Sequence, residues 1–388
     1  MKVCLFSHEY PPFTFGGVGS VCSDIVSGLV TEGIDVTLVC GGYDFSIIQP
    51  FDNLTVIRLP TNVSAPRISF IYNCYKNQNS LIKLIEKNDV THIWSSIGLF
   101  VNYIRKNSIK PIVCNVHALP YPDLKVLLKT PISTLTPEKY LGGLSEFPFA
   151  HYQMNTMLKN ADHIVVSGNH TIVDALKTYK IPLNKFTVIP NGIDLDDPLF
   201  TFVDKNNEDS KTIVFCGRLT WIKGVAYLIK AFNIFVKENK DYTLKIIGGG
   251  EMEAYCKRLV DQFKLNKSVI FTGLVTRKRA IEEIVNSKFL ALPSLNENGP
   301  TVAWEAMSVK RPIIAFDLPF AKDFIKDGYN GLLAKNLDVN SYAEKMNILI
   351  SDNNYRKQLG MNAYSYIFKF HNMKKNIKKY FEIYNDML

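Results

Sequence analysis

Two carboxylates, Glu297 and Glu305, stand on either side of Asn298-Gly299-Pro300-Thr301-Val302. Asparagine or glycine suits a helix N-cap, and proline is tolerated at the first helical position, where its missing N–H had no partner. The stretch therefore reads as a helix start carrying free N–H groups and roughly half a positive charge. Such a start receives an anionic group, here on the Thr301 and Val302 amides. One acid before the helix and one about 8 Å along it suit a ligand with hydroxyl-bearing rings on both sides of a diphosphate. A nucleotide sugar is such a ligand. The same spacing also describes a charge favouring the helix dipole plus an ordinary surface glutamate, and spacing alone leaves both readings open.

Two cations could serve the same diphosphate. Arg218 and Lys223 follow the apolar run Thr212-Ile-Val-Phe-Cys216 and Gly217, in a loop that ends at Gly224. Fixed cations at a strand's carboxyl end neutralise phosphate, each charge-assisted hydrogen bond contributing roughly 1.5–3 kcal/mol. Taken alone they are equally a pair of surface cations. His117 lies just past Ile112–Val116, and Gly16-Gly17 lie between the strand Lys2–Phe6 and a helix carrying Val21, Ile25 and Leu29 at helical spacing. Glycines there let the backbone approach a bound group closely. The loop is neither Gly-x-Gly-x-x-Gly nor a P-loop, since no Gly-Lys-Ser/Thr follows.

The elements that must position these residues alternate. Strands are expected at Lys2–Phe6, Asp35–Cys40, Leu54–Leu59, Thr91–Trp94, Pro111–Val116, Ala161–Ser167 and Phe186–Ile189. Helical patterns lie between several of them, notably Ser80–Lys87 and His170–Lys177. A second series runs through Thr212–Cys216, Leu244–Ile247, Val269–Val275, Phe289–Leu292 and Arg311–Phe316, and the tail from Tyr342 reads as helices. Strands alternating with helices imply parallel sheets covered on both faces, with ligands at the carboxyl ends of the strands. Residues 118–150, rich in proline, aromatics and glycine, read as a partly irregular insertion. Within it Tyr121, Leu124, Leu127 and Leu128 are candidates for either a membrane-contacting edge or core.

Length and composition bound the rest. A chain of 388 residues, 47% hydrophobic and 21% charged, is long enough for two or three domains with cores of their own. Seven scattered cysteines with no Cys-x-x-Cys pair read as buried free thiols in a reducing compartment. No apolar run approaches the length of a signal peptide or a membrane span. Of the net charge of +9, the residues after Asp194 carry +7, much of it in Arg277-Lys278-Arg279 and Lys374-Lys375-Lys378-Lys379. Such patches attract nucleotides or anionic membrane, or are simply solvated faces. No nucleic-acid motif and no basic face interleaved with aromatics is present, so no nucleic-acid partner is expected.

Glu297-x7-Glu305, with Pro-Ser ahead of it and Glu-Ala-Met at its end, resembles the signature of retaining glycosyltransferases of family four, GT4, which have the GT-B fold. Asn298-Gly299-Pro300 stands where the commoner form has Phe-Gly. Gly217-Arg218-x4-Lys223-Gly224 resembles the family's second signature, and Val188-Ile-Pro-Asn191-Gly-Ile-Asp194 its interdomain turn. The resemblance implies two Rossmann-like, doubly wound α/β domains facing across a cleft. The expected boundaries are an acceptor-side domain over 1–192, a linker over 193–210, a nucleotide-sugar domain over 211–365 and a helix over 366–388 crossing back to the first domain. Segments 64–76 and 118–150 are expected on the acceptor side.

The resemblance also implies roles. Arg218 and Lys223 hold the leaving diphosphate, and Gly16 and Gly17 border it. His117 lies near donor sugar and acceptor, Glu297 orients the sugar ring and Glu305 holds the ribose. The backbone at Leu274 and Val275 receives the base, and Gly217, Asn298, Gly299, Pro300, Thr301 and Val302 complete the donor site. The expected reaction moves a hexose-type sugar, with retention, from a nucleoside-diphosphate sugar to a glycan, lipid-linked or other hydroxyl acceptor in envelope polysaccharide or glycoprotein glycan assembly. No cofactor and no metal are expected, although Asp194-Leu-Asp196 spells the Asp-x-Asp of metal-dependent transferases of another fold. The expected location is the cytoplasm, peripheral on the inner face of an anionic membrane. A GT-B epimerase, a phosphorylase and a non-catalytic nucleotide-sugar sensor are the alternatives.

Overall fold

The computed structural model describes residues 1–14, 17–129, 137–200 and 210–388, the side chains of 129 and 137–139 excepted. They form two compact units. The first comprises Met1–Tyr121, Ser145–Asn191 and Met373–Leu388, the second Pro122–Leu144 and Gly192–Asn372.

The first unit is built on β1 (Lys2–Ser7), β2 (Asp35–Gly42), β3 (Ser46–Phe51), β4 (Leu54–Pro60), β5 (Val90–Ile93), β6 (Ile112–Val116), β7 (His163–Val166) and β8 (Phe186–Val188). Their order is β3-β4-β2-β1-β5-β6-β7-β8, parallel throughout except that β3 runs antiparallel to β4. Val3, Cys4, Leu5 and Phe6 are all fully buried, because helices cover both faces of the sheet. Phe100, Ile104 and Met157 pack on one face. On the other lie Val21, Ile25 and Leu29 of the helix Gly17–Thr31, with Ile377, Tyr380 and Tyr384 of the helix Met373–Asp386. A buried polar network ties that last helix down. His92 meets Asn115 at 2.7 Å and the Tyr384 hydroxyl at 2.6 Å, and Asn115 donates to the Tyr380 hydroxyl at 2.8 Å.

The second unit holds β9 (Thr212–Cys216), β10 (Thr243–Ile247), β11 (Val269–Gly273), β12 (Leu290–Leu292), β13 (Ile313–Phe316) and β14 (Leu332–Ala334). All are parallel, in the order β11-β10-β9-β12-β13-β14. The chain winds one way from β9 to β11 and the other way from β12 to β14, so the order reverses between β9 and β12. In open α/β sheets ligands bind outside the carboxyl ends of the strands at such a reversal. The loop after β9 begins at Gly217, and the loop after β12 contains Glu297. In the first unit the corresponding reversal lies between β1 and β5.

Several expectations change. Residues 118–150 are largely helical where described: helices run over Pro120–Lys129 and Pro137–Asn160, the second with Pro148 inside it. Gly142, Gly143 and the prolines at 120, 122, 137 and 148 weaken the apolar period there. Leu127 is core, not a membrane edge, and packs with Phe215 and Leu219 in the second unit, where 122–144 belong. Ile193 and Phe200 are likewise core of the second unit, so the stretch expected as linker starts inside a domain. Residues 366–372 stay with the second unit, and the first-unit helix begins at Met373. Strand β3 had no clear alternation to reveal it. All seven cysteines are free thiols, six of them buried. No helix among the described residues is long and apolar enough to cross a membrane.

Candidate active site

The loop after β9 is fixed from both sides. Gly217 N–H donates to Ile247 O at 3.0 Å, Leu219 N–H to Gly249 O at 2.9 Å and Met252 N–H to Leu219 O at 2.8 Å. On its far side Leu295 N–H donates to Ile222 O at 2.7 Å, stitching this loop to the one after β12. Gly224 makes that approach possible. Its φ is +66°, and a Cβ there would lie 2.0 Å from the Pro293 carbonyl oxygen. From this pinned backbone the Arg218 side chain projects into solvent.

Lys223 turns to the neighbouring loop and forms an ion pair with Glu297, 74 positions away in sequence. Ser294 donates a hydrogen bond to the same carboxylate oxygen, Oε1, at 2.7 Å. Glu297 is nearly buried, so cation and hydroxyl together offset the desolvation of its charge. Beside it Asn296 donates to the Asp123 carboxylate at 2.7 Å. The helix that follows runs over Thr301–Ser308 with Pro300 as its N-cap, one position later than the sequence places it. Its first amides belong to Thr301 and Val302, and no side chain caps them. Asn298, Gly299 and Pro300 form the turn into the helix, Gly299 with φ +77°.

Glu305 lies one and a half turns on. Arg277 donates to it through Nε at 2.8 Å and approaches Asp197 at 3.4 Å. Burial lifts the Glu305 carboxyl above the usual range, while the Arg277 guanidinium pulls it back down. The basic triplet is therefore not a free patch: Arg277 pairs with Glu305 and Asp197, and Arg279 with Glu282 and Glu283. Leu274, at the end of β11, is 85% exposed, and Val275 beside it packs on the core. Asp194 spends a carboxylate oxygen on the Asp196 amide at 3.1 Å. A small, partly open pocket lies elsewhere on the β9 loop, lined among others by Trp221, Tyr227, Tyr255 and Leu295 but by neither Lys223 nor Glu297.

The family model for Glycosyltransferase Family 4 matches residues 15–197, and that for Glycosyl transferases group 1 matches residues 197–366. The chain belongs to glycosyltransferase family four. This glycosyltransferase is 25% identical to an uncharacterized glycosyltransferase of Methanocaldococcus jannaschii, over 99% of this chain and 98% of that one. It is 28% identical to a D-inositol 3-phosphate glycosyltransferase of Corynebacterium jeikeium, over 55% of each. Among solved structures it resembles sucrose-phosphate synthase of Thermosynechococcus elongatus (TM-score 0.81, 18% identity, 100% and 99% of the two chains). It also resembles HepE of Anabaena in complex with UDP (TM-score 0.73, 15% identity, 100% of both). These likenesses establish the GT-B fold of the glycosyltransferase.

In the first unit the glycosyltransferase places a second polar group where β1, β5 and β6 end. His8 meets the Ser95 hydroxyl at 2.6 Å through Nδ1 and Glu9 at 3.2 Å through Nε2, and both His8 and Glu9 are buried. His117 stacks beside Trp94, ring centroids 4.6 Å apart, with a hydrogen bond to the Trp94 backbone. Its Nε2 is buried and has no hydrogen-bond partner among the described residues. Burial, then the neighbouring imidazoles of His8 and His92, push its pKa down to about 3, so the ring is neutral. Gly17 opens the helix after the β1 loop, and Gly16 lies outside the described residues.

The structure thus joins Lys223 with Glu297, and Glu305 with a residue read only as surface charge. Sequence reasoning did not single out Ser294, Arg277, His8, Glu9 and Ser95 as site residues. Ser294 was within reach, since it stands three residues before Glu297 in the quoted signature. Arg277 and Ser95 carry no local signal, because their partners are remote in sequence, and the adjacent pair His8-Glu9 belongs to no spacing pattern that marks a site.

Proposed function

We propose that this glycosyltransferase transfers a hexose-type sugar, with retention and without a metal, from a nucleoside-diphosphate sugar to a hydroxyl of a glycan or lipid-linked acceptor. The observation that supports it best is the cluster of Lys223, Glu297 and Ser294 between a fixed cation-bearing loop and an uncapped helix start. A diphosphate seated there meets Arg218 and Lys223 on one side and the Thr301 and Val302 amides on the other. As the C1–oxygen bond of the sugar phosphate breaks, negative charge grows on the phosphate, and these donors stabilise it without having to reorganise. Lys223 has three N–H donors, so it can keep Glu297 and still reach a phosphate oxygen. Glu297 accepts from sugar hydroxyls and sets the ring against the leaving group.

On the same face the acceptor oxygen bonds to C1, and its proton passes to the departing phosphate oxygen. No enzyme nucleophile is needed. Neutral His117, with one ring nitrogen held on the Trp94 backbone and Nε2 without a partner among the described residues, suits a substrate hydroxyl. Glu305, kept in place by Arg277, holds the ribose, and the loop at Leu274 and Val275 receives the base. HepE of Anabaena is a neighbour solved with UDP and with UDP-glucose, so a uridine donor is the first choice. The acceptor reading carries with it a peripheral position on an anionic membrane.

A panel of nucleotide sugars in a thermal-shift assay tests the donor half. A binding donor at about 100 times its dissociation constant should stabilise the fold by about 2.7 kcal/mol. Proton NMR of the product's anomeric signal tests retention. An inverted anomeric centre, or no stabilisation by any nucleotide sugar, would overturn the proposal.

A further inference from the structure

Residues 118–150 read in sequence as acceptor-side, yet the chain leaves the first unit at Tyr121, rejoins it at Ser145, and in between belongs to the second. The helix Pro120–Lys129 opens on proline and carries Asp123 in its first turn, where the helix dipole favours a carboxylate. Leu127 follows four positions later, on the same face. It is 2% exposed and packs with Phe215 of β9 and Leu219 of the loop after it. The next helix closes on Leu127 through Gly143, where a Cβ would lie 2.8 Å from the leucine Cδ2. Tyr140 and Leu144 pack on the same core. The face that sends Leu127 into the core also delivers Asp123 to the loop after β12.

There Asn296 donates to Asp123 at 2.7 Å, across 173 positions of sequence. Residues 293–300 belong to no helix or strand, so tethers decide their geometry. Asn296 stands between two of them. Leu295 N–H is held by Ile222 O at 2.7 Å, and the Glu297 carboxylate is held by Lys223 and Ser294. Both partners of Glu297 take the same oxygen, Oε1. They fix that atom, and the direction of Oε2 is then decided by where the backbone at 296–297 lies. The bond to Asp123 acts at that point. It is charge-assisted, about twice as strong as a neutral hydrogen bond, and comes from a helix anchored by its own buried leucine.

We infer that Asp123 is a positioning residue for sugar transfer: through Asn296 it sets the backbone that aims Glu297 at the donor sugar, and the inserted helix is the buttress that delivers it. The inference rests on the reading of Glu297 as the group that orients the sugar. Such constellations tolerate about 0.5 Å, and a misplacement of about 1 Å can cost about 100-fold in rate. Loss of the tether should therefore act on turnover, whereas the grip on the diphosphate, made by other residues, should persist.

Steady-state transfer with the best donor of the nucleotide-sugar panel, and calorimetric binding of the nucleoside diphosphate of the same base, test this on the full chain. D123A and N296A should each lower kcat about tenfold to 100-fold, with the donor KM within about threefold and diphosphate affinity unchanged. The double variant should lose no more than either single one, because both remove the same bond. D123N, whose amide oxygen still accepts from Asn296, should keep at least about a third of kcat. Melting temperatures within about 3 °C of wild type check each fold, and if D123A does not fold, N296A carries the same expectation from the other side of the bond. Wild-type kcat in D123A and N296A while Glu297→Gln is impaired overturns this inference alone. Wild-type kcat in Glu297→Gln overturns the reading of Glu297, and this inference with it. Additive losses in the double variant, or D123N as poor as D123A, also overturn it.

Discussion

Replacing Arg218 by alanine separates binding chemistry from fold. Its side chain is exposed, and the loop that carries it is held by backbone hydrogen bonds of 2.8–3.0 Å from Gly217, Leu219 and Met252, none of which uses the guanidinium. Truncation should therefore change stability by no more than about 0.5 kcal/mol, or about 2 °C in melting temperature. Its effect on the diphosphate should be large. A lost charge-assisted contact of about 2 kcal/mol weakens donor binding about 30-fold. At a donor concentration giving the wild type about 2.7 kcal/mol of stabilisation, the variant should keep only about 0.9 kcal/mol. Turnover should fall further, because the guanidinium acts on charge that grows in the transition state; removing one such donor costs about 100–1000-fold in kcat. Melting curves with and without donor, and product formation with the best donor of the panel, measure all three quantities. A kcat within threefold of wild type, or a loss of activity that only follows a large fall in melting temperature, would refute the reasoning.

Lys223→Met and Glu297→Gln should each lower kcat at least about 100-fold, and the double variant should cost little more than either alone, because the two groups act as one unit; strictly additive kinetic losses would contradict this. Gly224→Ala should destabilise the second unit by at least about 2 kcal/mol, from strain at positive φ and the clash with Pro293 O, and should abolish donor-induced stabilisation; an unchanged melting temperature would contradict the packing of the two loops. Burial pushes the His92 pKa down to about 4, whereas in the unfolded chain it lies near 6.5. The unfolded state then binds the extra proton in that window, so this contribution to stability is complete above about pH 6.5 and is lost as pH falls towards 4, by up to about 3 kcal/mol. His92→Gln, which can keep a donor for Asn115 and an acceptor for Tyr384, should flatten the acid limb of stability against pH by about 1.4 kcal/mol per pH unit; an unchanged slope in denaturant titrations would contradict it.

What the sequence disclosed and what it withheld follow from the range of the interactions. Arg218 and Lys223 on one side, and Glu297 and Thr301 on the other, could be read because each pair sits in a short stretch with strand, turn and helix signals of its own. The central strands were legible because burial on both faces leaves continuous apolar runs such as Val3–Phe6. Strand β3 was not, since its apolar residues face water and Pro50 interrupts them. The helices Pro120–Lys129 and Pro137–Asn160 were obscured by glycines and prolines whose backbone cost tertiary packing overrides, as at Leu127. Partner choice lay beyond local pattern altogether. Nothing near Glu305 points to Arg277, and the His92–Tyr384 bond spans 292 positions.

The most direct test of the account is a crystal structure of the chain with a nucleoside diphosphate. The two phosphates should lie against the Thr301 and Val302 amides, with Arg218 and Lys223 within hydrogen-bond distance and Glu305 on the ribose. Density for the diphosphate in the cavity lined by Trp221 and Tyr227, with Lys223 still bound only to Glu297, would contradict it.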